Sequence, residues 1–131
     1  METHQEPVCR YLQLCGYVVQ PAYFQNTGYR IGWEFSTRLY TLTWRQENNV
    51  LLVCNIQATQ NQQGLESAMA ALISLWKDIL NSVAEITEIR GLPAEYGTER
   101  ERLYRRKMKQ LLIRQGAREL SVEDESWLAF P

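Results

Sequence analysis

The sequence predicts an α/β fold of the α+β kind, in which a mixed sheet is covered by helices on both faces. Three observations predict it. Alternating apolar and polar residues mark strands in the first half of the chain, and a long apolar stripe at helical spacing follows them. A short strand, a second long helix and two short β segments complete the chain. Because the chain has only 131 residues, we expect one domain over residues 1–131.

The chain begins with a predicted short helix and an antiparallel meander. In "EPVCRYLQLCG", Pro7 suits the first turn of a helix and Gly16 suits its end. "YRIGWEFS" and "RLYTLTWR" alternate, whereas "VLLVCNI" is nearly all apolar, which is typical of a central strand covered on both sides. "QENN" predicts a hairpin turn because asparagine tolerates positive φ. We expect three strands ending near Gln57.

A strand–helix–strand unit follows the meander. The predicted helix carries one continuous apolar stripe, made of Leu65, Met69, Leu72, Ile73, Trp76, Ile79, Leu80 and Val83. "EITEIR", from Glu85 to Arg90, predicts a strand parallel to the last meander strand, because a helical crossover reverses the chain. The second long helix is expected between Thr98, as its cap, and Gly116. Short strands are expected at residues 119–122 and 127–130.

Composition excludes several functional classes. The net charge is −1, so the whole domain is neither a polycation nor a polyanion, and no apolar run approaches the roughly 18 residues of a membrane span. The polar, acidic stretch from Met1 to Pro7 does not resemble a signal peptide, which predicts a cytoplasmic location. The three cysteines, Cys9, Cys15 and Cys54, fit reduced thiols, and without a CxxC pair we expect no metal site.

The turn before the long helix, Asn61 to Glu66, is a candidate phosphate-binding turn. With the order of elements, it resembles the acyl-coenzyme-A-binding half of the GNAT-type N-acetyltransferases, whose turn follows [Q/R]-x-x-G-x-[G/A] and whose helix amides hold the coenzyme pyrophosphate. The resemblance implies that Gln62, Gln63, Gly64 and Leu65 would bind acetyl-CoA if the protein is an enzyme.

Two residues of this turn depart from that pattern. Asn61 replaces the usual Gln or Arg, and Glu66 replaces a tiny residue. A carboxylate there repels pyrophosphate, by roughly 1 kcal/mol for two unit charges about 4 Å apart in water. We therefore expect no bound cofactor. The alternative is an active acetyltransferase, in which Tyr104 would protonate the leaving thiolate, as the resemblance implies.

A second resemblance covers residues 44–130. The runs "VLLVCNIQATQNQQGLESAMAAL", "LYRR" and "GAREL", with the Trp-containing last strand, resemble the low-calcium-response protein R family of bacterial type III secretion. The resemblance implies a role in the control of secretion. None of these runs is a catalytic signature, so it implies a secretion system rather than a reaction.

The second long helix concentrates positive charge. Eight of the fourteen basic residues lie in residues 99–118, which together carry a charge of +6 after two glutamates are subtracted. Three interpretations remain open: a solvated face of an amphipathic helix, a docking surface for an acidic protein, and a binding site for nucleic acid or coenzyme phosphate. The acidic run Glu123 to Glu125 compensates part of the charge, which disfavours nucleic acid.

We predict that a protein partner would contact Arg105, Arg106 and Lys109, together with Tyr96 in the loop "GLPAEYG". The three basic residues should share solvent, because the line of Leu103, Met108 and Leu111 is expected to face the core.

The sequence thus predicts a cytoplasmic regulatory or accessory protein of type III secretion that acts through protein–protein contacts without catalysis. The alternatives are an acyl-CoA-dependent N-acetyltransferase and a nucleic-acid-binding regulator that uses the basic helix.

Overall fold

A computed structural model describes residues 6–23, 27–58, 62–91, 98–122 and 125–130. The helices are α1 (Pro7–Leu14), α2 (Gln62–Ser82) and α3 (Glu99–Arg114). The strands are β1 (Gln20–Tyr23), β2 (Arg30–Ser36), β3 (Tyr40–Glu47), β4 (Val50–Ala58), β5 (Glu88–Gly91), β6 (Arg118–Val122) and β7 (Glu125–Phe130).

The strands form one sheet in the order β1-β2-β3-β4-β5-β7-β6. Neighbouring strands run antiparallel except β4 and β5, which run parallel and are joined through α2. This arrangement confirms the predicted α+β class with a mixed sheet, and it confirms the parallel pair expected from the helical crossover.

The first half of the fold follows the predicted order. Pro7 lies in the first turn of α1, and Gly16 takes a φ of 98° just after its end. The predicted meander is β2, β3 and β4, and Asn48 takes a φ of 56° in the turn between the last two. The sequence did not predict β1, an edge strand that contains Pro21. Proline is tolerated there because one side of an edge strand has no ladder to join.

Aromatic residues dominate the core. Trp33 and Trp44 lie opposite one another on β2 and β3, and both are fully buried. Trp76, from the middle of α2, is 4% exposed, and its ring centroid lies 6.1 Å from that of Phe130 on β7. These three tryptophans are buried in the core, whereas Trp127 is only partly buried.

The structure corrects several predicted element boundaries, and the last two strands begin at Arg118 and Glu125 rather than at residues 119 and 127. Helix α2 begins at Gln62, so Gly64 lies inside the first helical turn rather than before it. Strand β5 begins at Glu88 rather than at Glu85. The preceding residues close the end of α2 by backbone bonds, in which the amide of Ile86 donates to the carbonyl of Val83 at 3.0 Å.

The prediction that the "VLLVCNI" strand is covered on both sides was wrong for its second half. Within β4 only Leu51 is buried, and Cys54 and Asn55 are exposed. The reason is that β5 accompanies β4 for only four residues, from Val50 to Val53.

Candidate functional site

Strand β4 separates from β5 at a β-bulge. Trp44 on β3 pairs with Val53, but the preceding residue, Thr43, pairs with Asn55, so Cys54 is an extra residue on β4. The parallel ladder with β5 ends at the same place, whereas β3 continues to pair with β4 as far as Ala58. Bulges bend a strand and end pairing. The β5-side edge of Cys54–Ala58 therefore has no strand partner among the described residues, and we call it the open β4 edge.

A cavity of about 100 Å³ lies beside the open β4 edge. Its walls come from β4, α2, α3 and the strands β5 and β7. Most of the lining is apolar, with Val53, Ile56, Met108 and Leu128 as examples, and two basic side chains of α3 also line it. We call this space the β4 cavity. It combines apolar surface with basic residues.

The candidate catalytic residue Tyr104 lies on the cavity-side helix and contacts the end of β4. Its hydroxyl oxygen accepts a hydrogen bond from the backbone amide of Ala58 at 3.1 Å. The side chain is half-buried. Tyr104 therefore ties α3 to the end of the open β4 edge, and this contact gives the residue a structural role whether or not it also acts in catalysis.

Cys54 brings a thiol to the cavity lining. Partial desolvation raises the pKa of its thiol above the usual value of a cysteine. The thiol therefore stays protonated at neutral pH, and a protonated thiol is a poor nucleophile. The residue lies at the bulge as a neutral, exposed side chain.

The basic residues predicted to bind a partner occupy two different environments. Arg105 and Lys109 are partly buried and line the β4 cavity, whereas Arg106 is exposed. The expectation that all three share open solvent was therefore wrong. The Nζ atom of Lys109 also forms an ion pair with Glu119 on β6, at 3.2 Å.

The reason lies in how α3 is rotated against the sheet. Leu103, predicted to face the core, is 54% exposed, while Met108, Leu111 and Leu112 are buried. With Leu103 turned outward, Arg105 on the opposite side moves toward the cavity. The exposed basic residues of the helix are Arg100, Arg102, Arg106, Lys107 and Arg114.

A second ion-pair cluster reduces the charge of the basic segment. The Glu88 carboxylate on β5, 18% exposed, accepts from Nε of Arg90 at 2.6 Å and from Nη2 of Arg118 at 3.1 Å. Glu88 and Arg90 are two residues apart on a strand, so they point to the same face. Arg118 belongs to this cluster as well as to the basic segment.

The predicted coenzyme-binding residues form the start of α2. Gln62, Gln63, Gly64 and Leu65 are its first four residues, and the first four amides of a helix have no intrahelical acceptor. The structure describes their backbone only. Glu66, the next residue, is exposed. Asn61 and Tyr96, the predicted loop contact, lie outside the described residues.

Sequence reasoning missed the open β4 edge. The bulge at Cys54 carries no glycine or proline that would mark it, and "VLLVCNI" is a plain apolar run. A usable signal was the change inside β4 from Val-Leu-Leu-Val to Cys-Asn, since polar residues are unusual in a strand buried on both faces.

The described residues were also searched for membrane-spanning helices and for clusters of metal ligands. None of the helices in these ranges is long and apolar enough to cross a membrane. Across the same ranges, no cluster of three or more His, Cys, Asp or Glu residues is placed to hold a metal ion.

The fold and this site define a mixed α+β domain in which a basic helix lies beside an open strand edge. A scan against protein-family models matches residues 5–120 to the family described as "Type III secretion system regulator (LcrR)". The match covers most of the chain, which therefore belongs to this family. The resemblance to the low-calcium-response protein R family is confirmed. Searches of curated proteins and of solved structures found no match.

Proposed function

We propose that this protein is a cytoplasmic regulatory or accessory protein of a type III secretion system that acts by binding an acidic protein partner through α3, without catalysis. The observation that carries the proposal is the separation of charge. Residues 99–118 carry +6 and the rest of the chain carries −7 (−1 minus +6), although Lys109 and Arg118 are ion-paired with Glu119 and Glu88. A concentrated basic face on a neutral domain attracts an acidic partner and speeds its association.

The exposure of the basic residues supports this proposal. Among the residues of α3 with described side chains, Arg102, Arg106 and Lys107 are exposed and share a helix with exposed Leu103. An exposed leucine among arginines suits a protein partner, because interfaces combine apolar contacts with complementary charge.

The first test is a charge reversal on α3. The change Arg105→Glu, Arg106→Glu and Lys109→Glu alters the charge by six units. We expect capture of an acidic partner from the bacterial cytoplasm to fall by orders of magnitude, and higher salt should weaken the wild-type complex. Thermal unfolding shows whether the variant remains folded, since loss of the Lys109–Glu119 ion pair alone should cost little.

A matched control changes the same charge elsewhere. Arg10, Arg45 and Lys77 are exposed and lie outside α3. Their reversal to glutamate alters net charge by the same amount, so it should leave partner capture intact. Equal loss of capture in both triple variants would contradict a docking role for α3, as would equal retention in two folded variants.

The second candidate function is an acyl-CoA-dependent N-acetyltransferase. The strand order, the separation of β4 from β5 and the helix that follows β4 support a GNAT-like fold, and the β4 cavity is the observation that favours this activity. Glu66 opposes it by its charge. Acetyl-CoA at millimolar concentration should give no thermal shift if the protein is not an enzyme, whereas ligand at one hundred times its Kd would add about 2.7 kcal/mol.

The salt dependence of DNA binding distinguishes the nucleic-acid alternative from the other two functions. A regulator that uses α3 on phosphates would bind random duplex DNA with an affinity that falls steeply as salt rises. We expect no such binding at physiological salt.

A further inference from the structure

We propose that the open β4 edge is a docking groove for an extended peptide segment of the partner, which pairs with the backbone of β4 around Ile56 as an added strand. The segment would insert one aliphatic side chain into the β4 cavity and place an acidic residue beside Arg105 and Lys109. This inference deepens the proposed function and rests on it. It names the site, the binding mode and the chemistry of the partner.

The open β4 edge lacks the proline and the charged side chains found at the sheet's outer edges. Natural edge strands discourage pairing with proline or charged side chains. Outer strand β1 contains Pro21, and outer strand β6 contains Arg118 and Glu119. The open β4 edge has the sequence Cys-Asn-Ile-Gln-Ala, which includes neither a charged residue nor a proline.

Some backbone groups on this edge point away from β3. The amide of Ala58 reaches the Tyr104 hydroxyl on α3, so it does not pair with β3. Amides alternate in direction along a strand, so the amide of Ile56 points to the same side. A peptide strand adds by main-chain hydrogen bonds to such groups, and pockets for alternate side chains give it specificity.

The β4 cavity has the size and the chemistry for an aliphatic side chain beside a carboxylate. A cavity of about 150 Å³ can hold a benzene molecule, so the space of about 100 Å³ here suits one aliphatic side chain. Arg105 and Lys109 line the same space, which favours a carboxylate next to that side chain. Trp76 also lines it, and its buried indole N–H has no acceptor among the described residues. A main-chain carbonyl of the bound segment would offer one.

The test begins with a random dodecapeptide library displayed on phage and selected on the full chain. We expect the selected sequences to share an aliphatic residue next to acidic residues. A synthetic peptide from the selection should shift the NMR signals of the Cys54–Ala58 amides. Methylation of alternate peptide nitrogens should weaken binding at least tenfold, because it removes the donors of a β ladder.

A variant that fills the β4 cavity tests where the peptide binds. Gly91 lines the cavity at the last β4–β5 pair, and a Cβ there would lie 3.4 Å from the Cβ of Val53, in ordinary contact. Gly91→Val should weaken the peptide at least tenfold, and Gly91→Ala should weaken it less. The control Gly28→Val lies outside the lining, with nothing within 4 Å of its Cβ, and should bind normally.

Four results would overturn the inference: no aliphatic–acidic consensus, signals that shift elsewhere, equal binding to folded Gly91→Val, or acetyl-CoA shifting the same amides in place of a peptide. The proposed function is judged separately by the α3 charge reversal. If the α3 variant loses its partner while Gly91→Val leaves the peptide affinity unchanged, the proposed function stands and the groove is refuted.

Discussion

Replacement of Trp76 tests the packing around the β4 cavity. The residue is buried in the middle of α2 and contacts Phe130, so truncation to alanine removes part of the cavity wall. Trp→Ala changes in a core cost about 3–5 kcal/mol. The indole N–H has no acceptor among the described residues, and an unsatisfied buried donor costs about 1–3 kcal/mol in the wild type. Its removal offsets part of the loss, so we expect a net cost of about 3 kcal/mol for Trp76→Ala.

Trp76→Phe separates the two contributions. Phenylalanine keeps a ring against Phe130 and removes the unpaired N–H, so its free energy of unfolding should lie within about 1 kcal/mol of wild type. Urea unfolding followed by circular dichroism measures both variants. If Trp76→Phe is as destabilised as Trp76→Ala, the indole N–H has an acceptor in solution, and the assignment of an unsatisfied donor at Trp76 is refuted. Near-normal stability of Trp76→Ala would show that this face of α2 is not buried.

Three further predictions concern the stability of the fold. Gly32→Ala should destabilise the fold by about 1–3 kcal/mol or more, because the new Cβ atom would overlap a backbone carbonyl oxygen of β3. The control Gly28→Ala should be tolerated, and thermal unfolding compares the two variants. Tyr104→Phe should cost about 0.5–1.5 kcal/mol by removing the acceptor of the Ala58 amide, measured by urea unfolding. Burial raises the pKa of Cys9 to about 12 from 9.0, so the folded state holds a proton that the unfolded chain releases. Stability should therefore fall as pH rises above about 9, and Cys9→Val should flatten that fall.

The order of elements could be predicted from the sequence because each element carries a local signal. The alternation in β2 and β3 and the stripe of α2 are set by residues close in sequence, and the structure keeps them. The parallel pairing of β4 with β5 followed from the helical crossover between them. The edge strand β1, with only four residues and a proline, has no such signal.

The site could not be predicted in the same way, because it depends on tertiary pairing. The bulge at Cys54 exists only relative to β3, where one residue faces two. The rotation of α3 that turns Leu103 outward and Arg105 toward the cavity depends on how the helix meets the sheet. A helical wheel places both residues correctly relative to each other but does not show which arc meets the core.

Two features of different origin meet at the open β4 edge. The charge of α3 acts over a distance of about a Debye length and governs how fast an acidic partner arrives. The strand edge and the cavity act only on contact, so they govern how long the partner stays. Reversal of Arg106, which is exposed and does not line the cavity, should therefore slow association of the captured partner, while Gly91→Val should speed its dissociation. Because the two effects act on different rate constants, kinetics of the complex can distinguish a partner that uses both features from one that is held by charge alone.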